Sequence, residues 1–303
     1  MIALIYPWII LLLVVVALIL AVRKQFVIGG VCFLASLLLN WYCECFSFHF
    51  AVSSVTTYGK VIRVMSWNVN GEYYPEEAGN VEGRIAIIRQ ENADVLYLAE
   101  DFWGIYMQMD SMLKNLFPYS TFYRNTQHYI YSKFPIVDCK AIEVEGLDMY
   151  SIEKVRVLYN SDTLVVYGCH LSSNNYLPDH VDIRYGDAEY IGSSYLKSIP
   201  YASKYRTLEA EAIISDLVKL PTIVMGDLND VCGSPCMEVF ENAGLRDAWW
   251  DGGFGYGATI HKPLPYRIDH IMYSNGLRLK GIKRVCSNGL SDHDALVTDF
   301  KLR

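Results

Sequence analysis

The chain has 303 residues, 52% of them hydrophobic, and a formal net charge of −7. That acidity argues against a protein that grips long nucleic acid through many phosphate contacts, although a local basic groove is compatible with it. Setting aside an apolar N-terminus leaves about 240 residues, enough for one large layered domain.

From Ile2 to Val22 the chain is almost purely apolar, which is long enough to cross a bilayer core as a helix. Arg23, Lys24 and Gln25 interrupt it, and a second apolar run extends from Phe26 to about Tyr42. This second run contains Gly29, Gly30, Ala35 and Ser36, small residues of the kind that let membrane helices pack closely. A cleavable signal peptide carries its positive charge ahead of the apolar run, and here none precedes it. The pattern predicts a two-helix transmembrane hairpin over residues 1–45, a linker over 46–60 and a catalytic domain over 61–303. Phe46, Phe48, His49 and Phe50 are expected at headgroup depth. Arg23 and Lys24 are the only Lys or Arg before Lys60. Positive residues in short loops stay in the cytoplasm. Both ends of the hairpin, and the domain after it, are then expected on the far side.

The remainder alternates strands and helices. Val61 to Trp67 reads as a strand, Val81 to Asn92 as a helix through the spacing of Ile85 and Ile88, and Asp94 to Leu98 as a short buried strand. Met109 to Phe117 is predicted helical, ended by Pro118. His128 to Tyr131, Val155 to Tyr159 and Leu164 to Cys169 read as strands, the last two joined by a turn at Asn160-Ser-Asp162. Ser172 to Ala202 is a long, Tyr-rich stretch without a clear period, expected to be a loop that bears on substrate choice. Ser203 to Leu220 is amphipathic and delivers the chain into the apolar strand Thr222 to Met225. The Gly-rich stretch Gly252-Gly-Phe-Gly-Tyr-Gly257 is expected to approach substrate closely. Ile268 to Tyr273 and Ala295 to Leu302 are closing strands. Many strands with few helices between them predict an α+β sandwich, in which two central, mostly antiparallel sheets are flanked by helices.

The eight cysteines follow no zinc pattern. Cys139, Cys169 and Cys286 sit in strand-like contexts and read as small buried hydrophobes. Cys232 and Cys236 could bridge locally in an oxidising compartment.

Six strand ends carry polar residues able to titrate or to bind a metal. They are Asn68, Glu100, His170, the pair Asp227 and Asn229, Asp269 in Arg-Ile-Asp-His270, and Asp292 with His293 in Ser-Asp-His-Asp294. Singly, each is ordinary as a turn former, a solvated end or a satisfied core histidine. Six together, each where a strand meets a loop, point to a site.

The order and spelling of these segments resemble the endonuclease/exonuclease/phosphatase superfamily. That group includes pancreatic deoxyribonuclease, abasic-site endonucleases, neutral sphingomyelinases and inositol polyphosphate 5-phosphatases. The resemblance covers about Val61 to Arg303. It rests on Ser66-Trp-Asn-Val-Asn70, Asp94-Val-Leu-Tyr-Leu-Ala-Glu100, Ser132-Lys-Phe-Pro-Ile136, His170-Leu171, Gly226-Asp-Leu-Asn229, Arg267-Ile-Asp-His270 and Ser291-Asp-His293. Ala99 stands where the family usually has Gln, and Leu228 replaces a common Phe; neither change removes a ligand. The resemblance implies a four-layer sandwich and a Mg²⁺ cofactor, with Mn²⁺ as an alternative, held by Asn68, Glu100 and Asp292 through oxygen ligands. It implies that Asp269 orients His293, that Asp227 or His293 activates the attacking water, and that His170 and Asn229 donate to the phosphoryl oxygens.

The expected function is metal-dependent hydrolysis of a phosphodiester or phosphomonoester at a membrane, on a phospholipid-like or small phosphoester. The alternatives are an extracytoplasmic nuclease and a catalytically inactive, membrane-tethered binding module. The expected partners are the phosphoester substrate and the lipid bilayer, with nucleic acid less favoured.

Overall fold

The computed structural model describes residues 2–49, 61–70, 78–100, 103–121, 128–147, 151–175, 188–261 and 264–303. A short 3-10 turn at Ile2–Ile5 leads into helices α1 (Tyr6–Val22) and α2 (Phe26–Cys43), joined by the Arg23–Gln25 turn. The stretches Ala3–Val22 and Phe26–Cys43, with mean hydropathies of 3.0 and 1.8, are long and apolar enough to cross a membrane. Their outward faces are bare leucine, isoleucine and valine, the condition expected of a surface solvated by lipid rather than water. The helices pack closely at Gly29, where a Cβ would lie 3.1 Å from the Ala17 carbonyl oxygen. Ser36 is also buried, whereas Gly30 faces open space and takes no part in the packing.

The hairpin ends on the domain that follows it. Strand β1 (Ser47–Phe48) pairs antiparallel with β11 (Phe254–Gly255). Phe46 stacks on Tyr256 at 5.4 Å, and Trp8 meets Tyr266 edge-on at 6.4 Å. The segment expected to lie free at headgroup depth is therefore partly docked on protein. Phe48 remains exposed, and Phe50 lies outside the described residues. The Gly252–Gly257 stretch, expected to approach substrate, instead supplies β11 and takes up the end of the hairpin.

The domain continues through β2 (Val61–Asn68), α3 (Ala78–Glu91), β3 (Val95–Ala99), α4 (Trp103–Leu113), β4 (Tyr119–Ser120), β5 (His128–Ser132), β6 (Ile136–Ala141), β7 (Ile152–Tyr159) and β8 (Asp162–His170). Then come α5 (Ala188–Ser215), β9 (Thr222–Asp227), α6 (Pro235–Asn242), β10 (Arg246–Asp247), α7 (Ala248–Gly252), β12 (Asp269–Tyr273), β13 (Leu277–Val285) and β14 (Ala295–Leu302). The edge strands β6 and β13 escaped the sequence pattern, because an edge alternates weakly and is half-exposed. Helix α5 begins well before the expected Ser203. The stretch read as a loop is helical from Ala188 onward, with Pro200 inside the helix, and residues 176–187 lie outside the described residues.

Two six-stranded sheets form, in the orders β10-β12-β9-β8-β7-β6 and β13-β14-β2-β3-β5-β4. Each has one parallel pair at its centre, β8 with β9 and β2 with β3, and is otherwise antiparallel. Strand side chains alternate between faces. In β3, Val95, Tyr97 and Ala99 enter the core between the sheets, while Leu96 and Leu98 pack outward beneath α3 and α4. In β8, Leu164 and Val166 face the same inner core, while Val165, Tyr167 and Cys169 pack outward against α5 and α6. Because both faces of these strands are buried, they read as unbroken apolar runs. The result is the expected four-layer sandwich, helix on sheet on sheet on helix.

The cysteine readings need correction. Cys169 is buried as expected, Cys139 is partly exposed and Cys286 is exposed. Cys232 and Cys236 are both free and lie in different clusters, Cys236 under α6 and Cys232 against the hairpin. The turn at Ser234 sends their side chains apart.

Candidate active site

Parallel central strands carry their C-terminal ends to one edge of a sheet, and here two such edges face each other. Asn68 ends β2, Glu100 follows β3, His170 ends β8 and Asp227 ends β9. The registers Asn68↔Ala99 and His170↔Asp227 hold these ends level. Asp269 opens β12 opposite Asp227, and His293 lies just before β14, bridged to Ile260.

Asp227 is the centre of this arrangement. Its Oδ2 accepts from the Asn68 amide at 3.1 Å and lies 3.8 Å from Nε2 of both His170 and His293. Its Oδ1 accepts the backbone N–H of Asn229 at 2.9 Å. Burial, and next the neighbouring Asp269, push its carboxyl up to about 6, against the pull of the two histidines. His293 donates through Nδ1 to Asp269 Oδ2 at 2.8 Å, which fixes the ring and leaves Nε2 facing Asp227. Burial works against the charged form of His293, but Asp269 and Asp227 prevail and raise it to about 10. Asp269 is held by its own backbone N–H donating to Thr259 Oγ1 at 3.1 Å, and its buried Oδ1 has no hydrogen-bond partner among the described residues.

On the other side, His170 Nε2 lies 3.2 Å from Glu100 Oε1. Burial opposes both charges of this pair. Even so, Glu100 falls to about 2 and His170 rises to about 9, each driven by the other, with Asn68 also bonding to Glu100. Glu100 and Asn229 both have left-handed backbones, with φ of 55° and 50°. For residues with a Cβ this costs about 1 kcal/mol or more each, and such strain gathers at functional sites. At Glu100 it turns the side chain back over the strand ends.

The sequence-identified residues therefore converge, with two qualifications. Asn229 spends one amide proton on the Leu171 carbonyl at 2.9 Å. Asp292 is exposed and joins the cluster through Asn70, whose amide donates to its Oδ1 at 2.8 Å. Asn70 and Thr259 were not singled out from sequence. Asn70 had a signal, its place two residues after Asn68 in Ser66-Trp-Asn-Val-Asn70, whereas nothing around Thr259 marks it.

The ligating atoms of Glu100, His170 and Asp227 lie within 4.8 Å of one another, as do those of Asp227, Asp269 and His293. Carboxylates with the Asn68 amide make a set rich in oxygen donors, which suits a hard divalent cation. The unpartnered Asp269 Oδ1 and the upward push on Asp227 mark a buried cluster that additional positive charge would stabilise.

Residues 65–293 match the endonuclease/exonuclease/phosphatase family. The chain belongs to that family. No curated protein sequence matches it. Among solved structures, a family protein from Beutenbergia cavernae is 19% identical, with a TM-score of 0.56 over 80% of this chain and 72% of that one. Danio rerio TDP2, solved with a single-strand DNA product, is 16% identical with a TM-score of 0.60, covering 80% of this chain and 99% of its own. The catalytic domain of human Nocturnin, solved with bound sulfate, is 16% identical with a TM-score of 0.58, covering 82% and 97%. These likenesses establish the family sandwich fold, and the family hydrolyses phosphoester bonds.

Proposed function

We propose that this chain is a Mg²⁺-dependent phosphoester hydrolase, tethered to a membrane by its helical hairpin with the catalytic domain outside the cytoplasm. The observation that carries the reading is the placement of Asp227 Oδ2 between two imidazoles, one oriented by Asp269 and the other paired with Glu100. Asn68 and Glu100, with Asp292 across Asn70, would hold the cation; Mn²⁺ suits the same donors. When bound, it polarises the phosphoryl group and stabilises the leaving oxygen.

The protein's own groups divide the remaining work. Asp227, pushed up to about 6, is the group able to take a proton from water near neutrality. His293 and His170, raised to about 10 and 9, are charged at that pH and donate to the phosphoryl oxygens as charge develops there. The free amide proton of Asn229 adds a further donor. Of the two candidate bases suggested by the resemblance, this arrangement favours Asp227.

The anchor and the net charge of −7 favour a phospholipid-like or small phosphoester as substrate. A nuclease is the second reading, favoured by the relative solved with a single-strand DNA product. The full chain in detergent, assayed with Mg²⁺ against bis-p-nitrophenyl phosphate, plasmid DNA, RNA and sphingomyelin-type lipid, separates the two. Glu100→Gln is expected to lose activity at least tenfold at limiting Mg²⁺, with partial recovery at high Mg²⁺. Wild-type activity that survives a chelator, or a variant with unchanged metal dependence, defeats the assignment. A chain inert towards every substrate at all metal concentrations supports the inactive binding module instead.

A further inference from the structure

Three thiols meet where the hairpin docks. Cys43 ends α2, Cys45 follows two residues later, and Cys232 comes from the turn after Asp227 and Asn229. Cys45 Sγ lies 3.3 Å from Cys43 Sγ and 3.4 Å from Cys232 Sγ, and all three residues are buried. Both sides of the contact are fixed by other bonds. Arg267 donates to the Glu44 carbonyl at 3.3 Å from the hairpin side and is paired with Asp247, while His270 bonds the Asp230 carbonyl at 3.1 Å. Gly233, with φ of +72°, lets the turn approach so closely that a Cβ there would lie 3.0 Å from the Cys43 Cβ.

We propose that Cys45 and Cys232 form a disulfide that staples the membrane hairpin to the catalytic domain beside the site. The geometry selects this pair. Cys43 Sγ is tied to its own helix through the Leu39 carbonyl at 2.9 Å, and a bridge from Cys43 to Cys45 would close a very short, strained ring. The sulfurs of Cys45 and Cys232 need only close by about 1.4 Å to reach bonding distance. Cys232 is the attacking group: its contact with Cys45, and then Arg267 and His270 against the cost of burial, bring its thiol down to about 6.

The oxidant is a disulfide, carried by a small thiol or by an oxidoreductase. The Cys232 thiolate attacks it and releases one thiolate, leaving a mixed disulfide on Cys232. Cys45 then gives up its proton and attacks the Cys232 sulfur, which releases the second thiolate. Two thiols of the chain are oxidised, one external disulfide is reduced to two thiols, and two protons are transferred overall. Because docking buries the sulfurs, the exchange precedes final seating of the hairpin end, and the finished bond is shielded from reductants. The bridge closes a separation of 187 residues, so it removes much freedom from the unfolded chain.

The test is disulfide mapping of the full chain, expressed into an oxidising compartment, isolated without reductant and alkylated in denaturant. Cleavage after Glu44 separates Cys43 from Cys45. A peptide linking Cys45 to the segment that holds Cys232 is expected in the wild type, in Cys43→Ser and in Cys236→Ser, and is lost in Cys232→Ser. Wild type prepared in dithiothreitol throughout should melt roughly 10 °C below the oxidised wild type, and Cys45→Ser/Cys232→Ser should melt alike with and without it. Eight alkylated thiols in the wild type, a bridge from Cys232 to Cys236, or a metal ion recovered with intact thiols overturns the proposal. The bridge rests on the proposed placement outside the cytoplasm, which the fusions after Arg303 test by themselves; none of these readouts depends on phosphoester hydrolysis, so this inference and the proposed chemistry fail separately.

Discussion

Gly226→Ala probes the joint on which the site turns. Gly226 immediately precedes Asp227 and has φ of +148°, and a Cβ added there would lie 1.8 Å from the Cys169 carbonyl oxygen and 2.8 Å from its carbon. The obstacle is backbone of the paired strand, Cys169↔Gly226, so no rotamer relieves it. Contacts under 3.0 Å are not seen for real Cβ atoms, so β8 and β9 must part by about 1.2 Å at this point. The Leu171 N–H bond to the Asp227 carbonyl, 3.0 Å long, would then stretch beyond hydrogen-bonding range. Two lost ladder bonds cost about 2 kcal/mol, and backbone strain adds about 1–3 kcal/mol. The expected destabilisation is about 3–5 kcal/mol, below the 5–15 kcal/mol typical of folded domains, so the variant folds when cool and melts roughly 10 °C early. Displacing Asp227 by about 1 Å should lower kcat/KM by about 100-fold. Near-ultraviolet circular dichroism melts, together with Mg²⁺-dependent hydrolysis of bis-p-nitrophenyl phosphate at 15 °C, read the two effects. Gly281→Ala, where a Cβ meets nothing within 4 Å, is the matched control and should change little. A Gly226→Ala protein that melts and turns over like the wild type would refute the close-approach argument.

Two further outcomes follow from other parts of the fold. Glu153 is fully buried beside Thr121 and Cys139, and burial, only partly offset by those two bonds, pushes its carboxyl up from 4.5 to about 7. A raised acid favours the folded state below its unfolded pKa, so wild-type stability should fall by about 3 kcal/mol as pH rises from 4.5 to 7. Urea titrations should show that slope flattened in Glu153→Gln, and parallel curves for the two proteins would contradict it. Alkaline phosphatase fused after Arg303 should be active and green fluorescent protein dark, since the proposed orientation keeps the turn that carries Arg23 and Lys24 in the cytoplasm. The reverse pattern would place the catalytic domain inside and leave its chemistry untouched.

The sequence by itself determined the strand endings and the two apolar helices. Asn68, Glu100, His170 and Asp227 were legible because each ends or directly follows a buried apolar strand, and Asp269 and His293 because each stands at or just ahead of the start of one, where a polar residue has the sheet edge to occupy. The two N-terminal helices were legible because each is an apolar run of the length that a membrane-crossing helix needs. Edge strands β6 and β13 were not, since they are half-exposed and their alternation is weak. Helix α5 was read too short, because Gly192, Ser193, Ser194 and Pro200 look like a loop until tertiary packing overrides local propensity. What only the tertiary structure decided is which groups touch. The pairing of His170 with Glu100 rather than with Asp269, the link from Asp292 through Asn70, and the meeting of Cys45 with Cys232 instead of Cys236 all join distant segments. No local spacing encodes these contacts. They are set by two sheets packed face to face with the ends of their parallel strands aligned, and by an apolar helical hairpin seated against the turn that follows the central aspartate.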